Sequence, residues 1–240
     1  MDIAESILYE DTDILVCRKP AGVAVQTKRL GEQDMESLLR NYQAGRGKTP
    51  YIGIVHRLDQ PVEGIMVFAL NPKAAAALNR QMQNGGFGKY YLAVLTGHLS
   101  DKSGTFTDYL QKDGKKNTSS VVCKSAPNAK KAILHYEILQ ELQEESLVKI
   151  KLETGRHHQI RVQMAHAGCP LAGDGKYAAS CPGSVSKTAH AGYSVREVGI
   201  GLCSFRIEFC HPISGKEMRF EIEPEGARFH KFASLKSIGE

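Results

Sequence analysis

From Leu147 to Leu152 the chain alternates strictly, with Val148, Ile150 and Leu152 apolar and Lys149 and Lys151 charged. Successive strand side chains point to opposite faces, so this run predicts a strand with one face buried and one in water. A strand of that kind needs partners, and the chain supplies them. Ile7 to Tyr9, Ile14 to Cys17, Tyr51 to Val55, Gly64 to Leu70, Tyr90 to Leu95, Ile133 to Leu142, Leu202 to Phe209 and Met218 to Ile222 all read as β runs. Three helices are predicted among them. Glu32 to Gln43 places Met35, Leu38, Leu39 and Tyr42 at helical spacing. Ala74 to Met82 follows the N-cap Asn71 and Pro72, and Gly85-Gly86 ends it. His158 to Ala167 is short and closes at Gly168. Residues 176–197 read as a loop. The pattern predicts an α+β fold with a mixed, mainly antiparallel sheet. No repeat or composition break divides the 240 residues, so one domain over 1–240 is expected, with its core at about 7–223.

The charge is uneven. The chain carries a formal +5, which permits a nucleic-acid partner without demanding one. Residues 100–131 hold seven lysines against three aspartates, with Gly104, Gly114 and Asn117 interspersed. This is a basic hairpin or loop, suited either to phosphate contact or to a solvated sheet edge. No apolar run approaches the roughly 20 residues that span a bilayer, and the acidic start Met1-Asp2-Ile3-Ala4-Glu5 lacks a signal pattern. No membrane partner and a cytoplasmic location are expected. The six cysteines form no CxxC pair and are expected as free thiols.

Several chemistries fail on spacing. Gly47-Lys48-Thr49 ends like a phosphate-binding loop, but Tyr42 stands where its first glycine belongs and Pro50 blocks the helix that must follow. His56-Arg57-Leu58-Asp59 lacks the order and the companion motifs of a kinase catalytic loop. His157, His158 and His166 lack acidic partners at metal-ligand spacing, so no metal site is expected. Three segments remain: His56-Arg57-Leu58-Asp59-Gln60-Pro61-Val62-Glu63-Gly64, Lys89-Tyr90-Tyr91-Leu92-Ala93-Val94, and Thr154-Gly155-Arg156-His157-His158-Gln159-Ile160-Arg161-Val162 running on to Pro170-Leu171-Ala172-Gly173-Asp174.

Together with Lys19-Pro20-Ala21-Gly22 and His211-Pro212, these segments resemble the RNA pseudouridine synthases of the RluA type, over roughly residues 7 to 223. The resemblance implies the pseudouridine synthase fold and the isomerisation of a uridine in structured RNA, ribosomal or transfer, without cofactor or metal. It implies Asp59 as the catalytic carboxylate, Tyr91 packed against the target base and Arg161 paired with Asp59. RNA contacts are expected from Arg57, Lys89, Arg156, His158 and Gln159, and a monomer is expected. The types suit the chemistry. An ionised aspartate can attack or accept a proton, and a guanidinium keeps it ionised in a closed pocket. A tyrosine ring offers a stacking face to a flipped base.

The sequence departs from the family pattern at Gln60-Pro61-Val62-Glu63, where basic, acidic and small hydroxyl residues are usual, and at His157, where Thr or Ser is usual. Many relatives carry a basic N-terminal RNA-binding domain of the S4 kind, and the catalytic domain alone is expected here. RNA would then be held by the catalytic domain, the lysine-rich stretch included. A second reading, motivated by the 60–63 turn, is an RNA-binding or RNA-chaperone protein that keeps the fold with weakened catalysis.

Overall fold

The computed structural model describes residues 2–178 and 199–233, except 30 and 49. Most of the loop expected at 176–197, with Cys181, lies outside the described residues. The chain divides into two compact units. The first holds residues 1–89 and 204–222, the second 90–203 and 223–240.

In the first unit, β1 (Ile7–Glu10) and β2 (Ile14–Lys19) form an antiparallel hairpin. Asp11 closes its turn, with one carboxylate oxygen accepting from the N–H groups of Asp13 and Ile14. β2 pairs with β4 (Glu63–Ala69), whose seven residues are all buried. β10 (Leu202–Cys210) neighbours β4 and carries β11 (Glu217–Glu221) antiparallel beside it. β3 is only Gly53–Ile54, shorter than the run Tyr51 to Val55 predicts. The helix α1 (Met35–Gly45) starts three residues later than its apolar spacing predicts. Asp34 decides the start: its carboxylate accepts from the Ser37 N–H and the Ser37 hydroxyl accepts from the Asp34 N–H, a capping box. The helix α2 (Pro72–Gln83) begins as expected, with the Asn71 side chain accepting from Ala74 N–H.

The second unit is a meander. β5 (Gly88–Thr96, mostly in this unit) pairs with β9 (Glu145–Leu152), β9 with β8 (Lys130–Glu141), β8 with β6 (Ser103–Asp113) and β6 with β7 (Thr118–Val122). All four pairings are antiparallel, and the one-sided strand at 147–152 is of the kind common in such sheets. The lysine-rich stretch is thus a hairpin: the Asp113 carboxylate accepts from the N–H groups of Lys115 and Lys116 and shapes its turn. The helix α3 (Gln159–His166) follows β9, and Gly168 ends it in the left-handed conformation at φ +84. Cys17, Cys123, Cys169, Cys203 and Cys210 are free thiols.

Candidate active site

The segment His56 to Asp59 alternates inward and outward. His56 and Leu58 are buried, Arg57 and Gln60 are exposed, and Asp59 is half-buried. This period of two turns the charged side chains away from the core while the segment stays anchored beneath. His56 is the anchor. Its Nε2 accepts from the Val67 N–H of β4 at 3.1 Å, and its ring rests against Phe87 with centroids 5.5 Å apart. Burial, helped by the Lys89 charge, pushes His56 down to about 3, so it is a neutral acceptor. Lys89 is itself buried. Arg57 donates from Nη2 to Gln26 Oε1 at 2.8 Å.

The turn after Asp59 is held by Lys19. This side chain is fully buried, and its ammonium donates to three backbone carbonyls: Val23 at 2.6 Å, Pro20 at 2.9 Å and Gln60 at 3.1 Å. Gly22 N–H donates to the same Gln60 carbonyl at 2.8 Å, and the Gln60 amide returns a bond to Gly22 O. The Val62 N–H closes the turn on Asp59 O. Burial pushes Lys19 down to about 7, against the opposing pull of the Asp59 and Glu63 charges. Lys19 also lies opposite Gly64 in the β2–β4 register. Gly64 has φ +140, and a Cβ there would come within 2.5 Å of the Ser204 backbone, so only glycine fits.

In the second unit, Tyr91 lies on β5 opposite Ile150 and is 7% exposed. Arg161 lies on α3, also buried. Its Nε and Nη2 each donate to an Asp174 carboxylate oxygen at 2.7 Å, a two-point pair in which both partners are nearly inaccessible. Its guanidinium sits 5.2 Å from the Tyr177 ring centre. His158 precedes α3 with the left-handed φ 53, and its Nδ1 is 2.6 Å from the Tyr177 hydroxyl. Gln159 is 3% exposed and bonded within the protein. Its Oε1 accepts from Thr154 Oγ1 and Arg156 N–H, and its Nε2 donates to Ile133 O. Arg156 is exposed, with Nε donating to Lys131 O at 2.8 Å.

Asp59 and Arg57 thus share one turn of the first unit, with Lys89 elsewhere in that unit. Arg156 and Gln159 share a turn of the second, where His158 and Arg161 both meet Tyr177. Three supporting residues escaped the sequence reading. Lys19 sits in a Lys-Pro-Ala-Gly run that reads only as a strand break and as part of the family pattern, Asp174 precedes the 176–197 loop and Tyr177 lies within it. The signal available for Asp174 was its place at the end of the third segment. Among the described residues, the only group of three or more His, Cys, Asp or Glu side chains close enough for a metal is Asp11, Asp13 and His211. Their bonds are spent on structure: one Asp11 oxygen caps the β1–β2 turn and the other meets Tyr9 Oη and His211 Nε2.

Residues 13–166 match the family described as RNA pseudouridylate synthase, a span that includes Lys19, Asp59, Tyr91 and Arg161. The ribosomal large subunit pseudouridine synthase D of Vibrio cholerae is 32% identical over 91% of this chain and 67% of its own length. An uncharacterized RNA pseudouridine synthase of Bacillus subtilis, YlyB, is 33% identical over 90% of this chain and 67% of its own. Among solved structures, human RNA pseudouridylate synthase domain containing 4 superposes with a TM-score of 0.77, over 95% of this chain and 93% of that one. At 20% identity, that likeness speaks for the fold alone. With the matched span covering the 56–64 turn, β5 and α3, the chain belongs to the RNA pseudouridylate synthase family and is an RNA pseudouridine synthase, an isomerase.

Proposed function

We propose that this enzyme isomerises a uridine of ribosomal RNA, with Asp59 as its catalytic carboxylate and without a cofactor. The observation that carries the assignment is the half-buried Asp59 on a turn fixed by a buried ammonium, inside the span that matches the family. The reaction breaks the N1–C1′ bond, joins C5 to C1′ and releases the C5 hydrogen. A fixed carboxylate can serve it as nucleophile or as proton acceptor. Tyr91 and Arg161 complete the catalytic set of this reading, Tyr91 as the ring that packs against the target base and Arg161 as its cationic member. Asp174 orients that arginine by occupying one edge of the guanidinium. Arg57 and Arg156, both exposed, contact the RNA backbone, and Lys89, which is buried, adds only positive charge beneath it. Gln159 and His158 serve as positioning residues, since both are buried and bonded internally. Ribosomal RNA is the first substrate to test because the Vibrio cholerae relative is named for the large subunit. Transfer RNA is the second.

The binding-only reading is not favoured, because relatives aligned over about nine tenths of the chain are named synthases. Tritium release from RNA labelled at uridine C5 decides between them. The parent is expected to release tritium and Asp59→Asn to release none. No release by the parent from any RNA pool would favour binding alone, and release by Asp59→Asn would remove Asp59 from its role.

A further inference from the structure

A second group of side chains joins the basic hairpin to the segment that holds Arg161. His157 is half-buried, at a position where the resembled family carries Thr or Ser. Its Nε2 lies 3.1 Å from Asn117 Oδ1 and its Nδ1 2.9 Å from Ser119 Oγ. An amide oxygen only accepts, so in the neutral ring Nε2 carries the proton and Nδ1 accepts from the serine hydroxyl. Asn117 belongs to the hairpin turn and Ser119 to β7. The Ser119 N–H donates to Tyr177 Oη at 2.9 Å, and Lys176 Nζ donates to Asn117 O at 2.9 Å. An N–H cannot accept, so Tyr177 Oη accepts there and turns its own proton toward His158 Nδ1. Burial, with the Arg161, His157 and Lys176 charges, pushes His158 down to about 3 against the pull of Asp174, as an acceptor nitrogen requires. The His157 and His158 rings stack with centroids 3.7 Å apart. Tyr177 is the shared node. Its hydroxyl holds β7 and His158, and its ring faces the Arg161 guanidinium. Asn117 and His158 are two of the three non-glycine residues with left-handed backbone among the described residues. Asparagine adopts this conformation readily in a turn, whereas at His158 the surroundings must impose it.

We propose that His157 and Tyr177 latch the lysine-rich hairpin to the segment carrying Arg161, so that an RNA backbone gripped by the hairpin is presented in fixed register to that arginine. Both are positioning residues. The inference rests on the RNA-modifying reading above. The ligand chemistry is the phosphate backbone of a folded RNA, met by Lys112, Lys115 and Lys116, which are exposed around the same turn. An unlatched hairpin still attracts phosphate, so affinity persists while turnover falls.

The test uses the full chain as Tyr177→Phe, His157→Ala and His157→Gln, each with and without Lys112→Gln, Lys115→Gln and Lys116→Gln. Loss of the latch is expected to speed amide exchange at Ser119 by about fivefold or more and to lower kcat by a similar factor, with KM nearly unchanged. His157→Gln keeps a donor toward Asn117 and is expected to recover part of both effects. The lysine substitutions are expected to cost less kcat/KM in Tyr177→Phe than in the parent, because coupled groups are not additive. Full multiplicativity of the two effects, or unchanged exchange at Ser119, overturns the latch. An activity-independent arm measures the preference for a stem-loop over a single strand of the same composition. The latch requires this preference to fall in Tyr177→Phe and His157→Ala, and an unchanged preference overturns it. A parent that releases no tritium refutes the proposed activity and leaves the latch to be judged by exchange and RNA preference.

Discussion

Asp59 and Arg161 carry opposite charges, and they are held by different kinds of contact. The turn beyond Asp59 is gripped through its main chain, by the Lys19 ammonium and the Gly22 N–H on the Gln60 carbonyl. Arg161 is gripped through its side chain, by two bonds to Asp174 and the face of Tyr177. A main-chain grip is indifferent to side-chain identity, since every residue has a carbonyl. This explains how the run Gln60-Pro61-Val62 can depart from the family pattern while the turn keeps its bonds. A side-chain grip carries no such tolerance.

The sharpest way to break the contrast is Asp174→Ala. It removes the two-point carboxylate partner of a buried guanidinium and is expected to cost about 3–5 kcal/mol in urea unfolding. A cost under about 1 kcal/mol, the range of an exposed pair, would mean the bond is incidental. Acid comes next. His56 in the first unit and His158 in the second are both pushed down to about 3. Their folded pKa values lie below the ordinary 6.5, so each contributes stability that is present above pH 6.5 and lost as pH falls toward 3. By pH 5 each is expected to have removed about 2 kcal/mol, and His158→Gln should lower the proton uptake on unfolding across that window by about one proton. An undiminished uptake in His158→Gln would assign the titration elsewhere. Lys19→Met strands the Pro20 and Val23 carbonyls and is expected to cost about 2 kcal/mol, with a fall in tritium release at saturating RNA. Unchanged release would show that the grip does not matter to the reaction. The smallest effect is expected from Gln60→Ala, at about 1 kcal/mol or less, because it removes one exposed amide bond and keeps the gripped carbonyl. A larger loss than Lys19→Met would invert the contrast.

The parts of this molecule legible in the sequence are those with local causes. Asn71-Pro72 announces α2 because capping acts within one turn, and the alternation at 147–152 announces β9 because the pleat repeats every two residues. Asp59, Tyr91 and Arg161 were named through family resemblance, since no local rule marks them. The Asp174 pairing, 13 residues from Arg161, is set by how the chain returns after α3 and leaves no periodic trace. Lys19 was hidden for another reason. The Lys-Pro-Ala-Gly run announces only a break in the strand, and the burial of its lysine depends on three enclosing carbonyls that no local pattern marks. The early start expected for α1 has a simple origin, because apolar spacing cannot see a cap and Asp34 sets the boundary.

Gly64 carries a consequence for how this enzyme can be altered. Its partner on β2 is Lys19, the same residue that grips Gln60, so the stretch from Gln60 to Gly64 is pinned at both ends to one residue, Gln60 by its side chain and Gly64 by its place in the strand register. Substitution within that stretch changes surfaces; insertion or deletion changes length, and one extra residue would turn every β4 side chain to the opposite face. The span between the carboxylate and β4 therefore behaves as a fixed-length spacer. Loop grafting between family members should preserve its residue count before its residue identities.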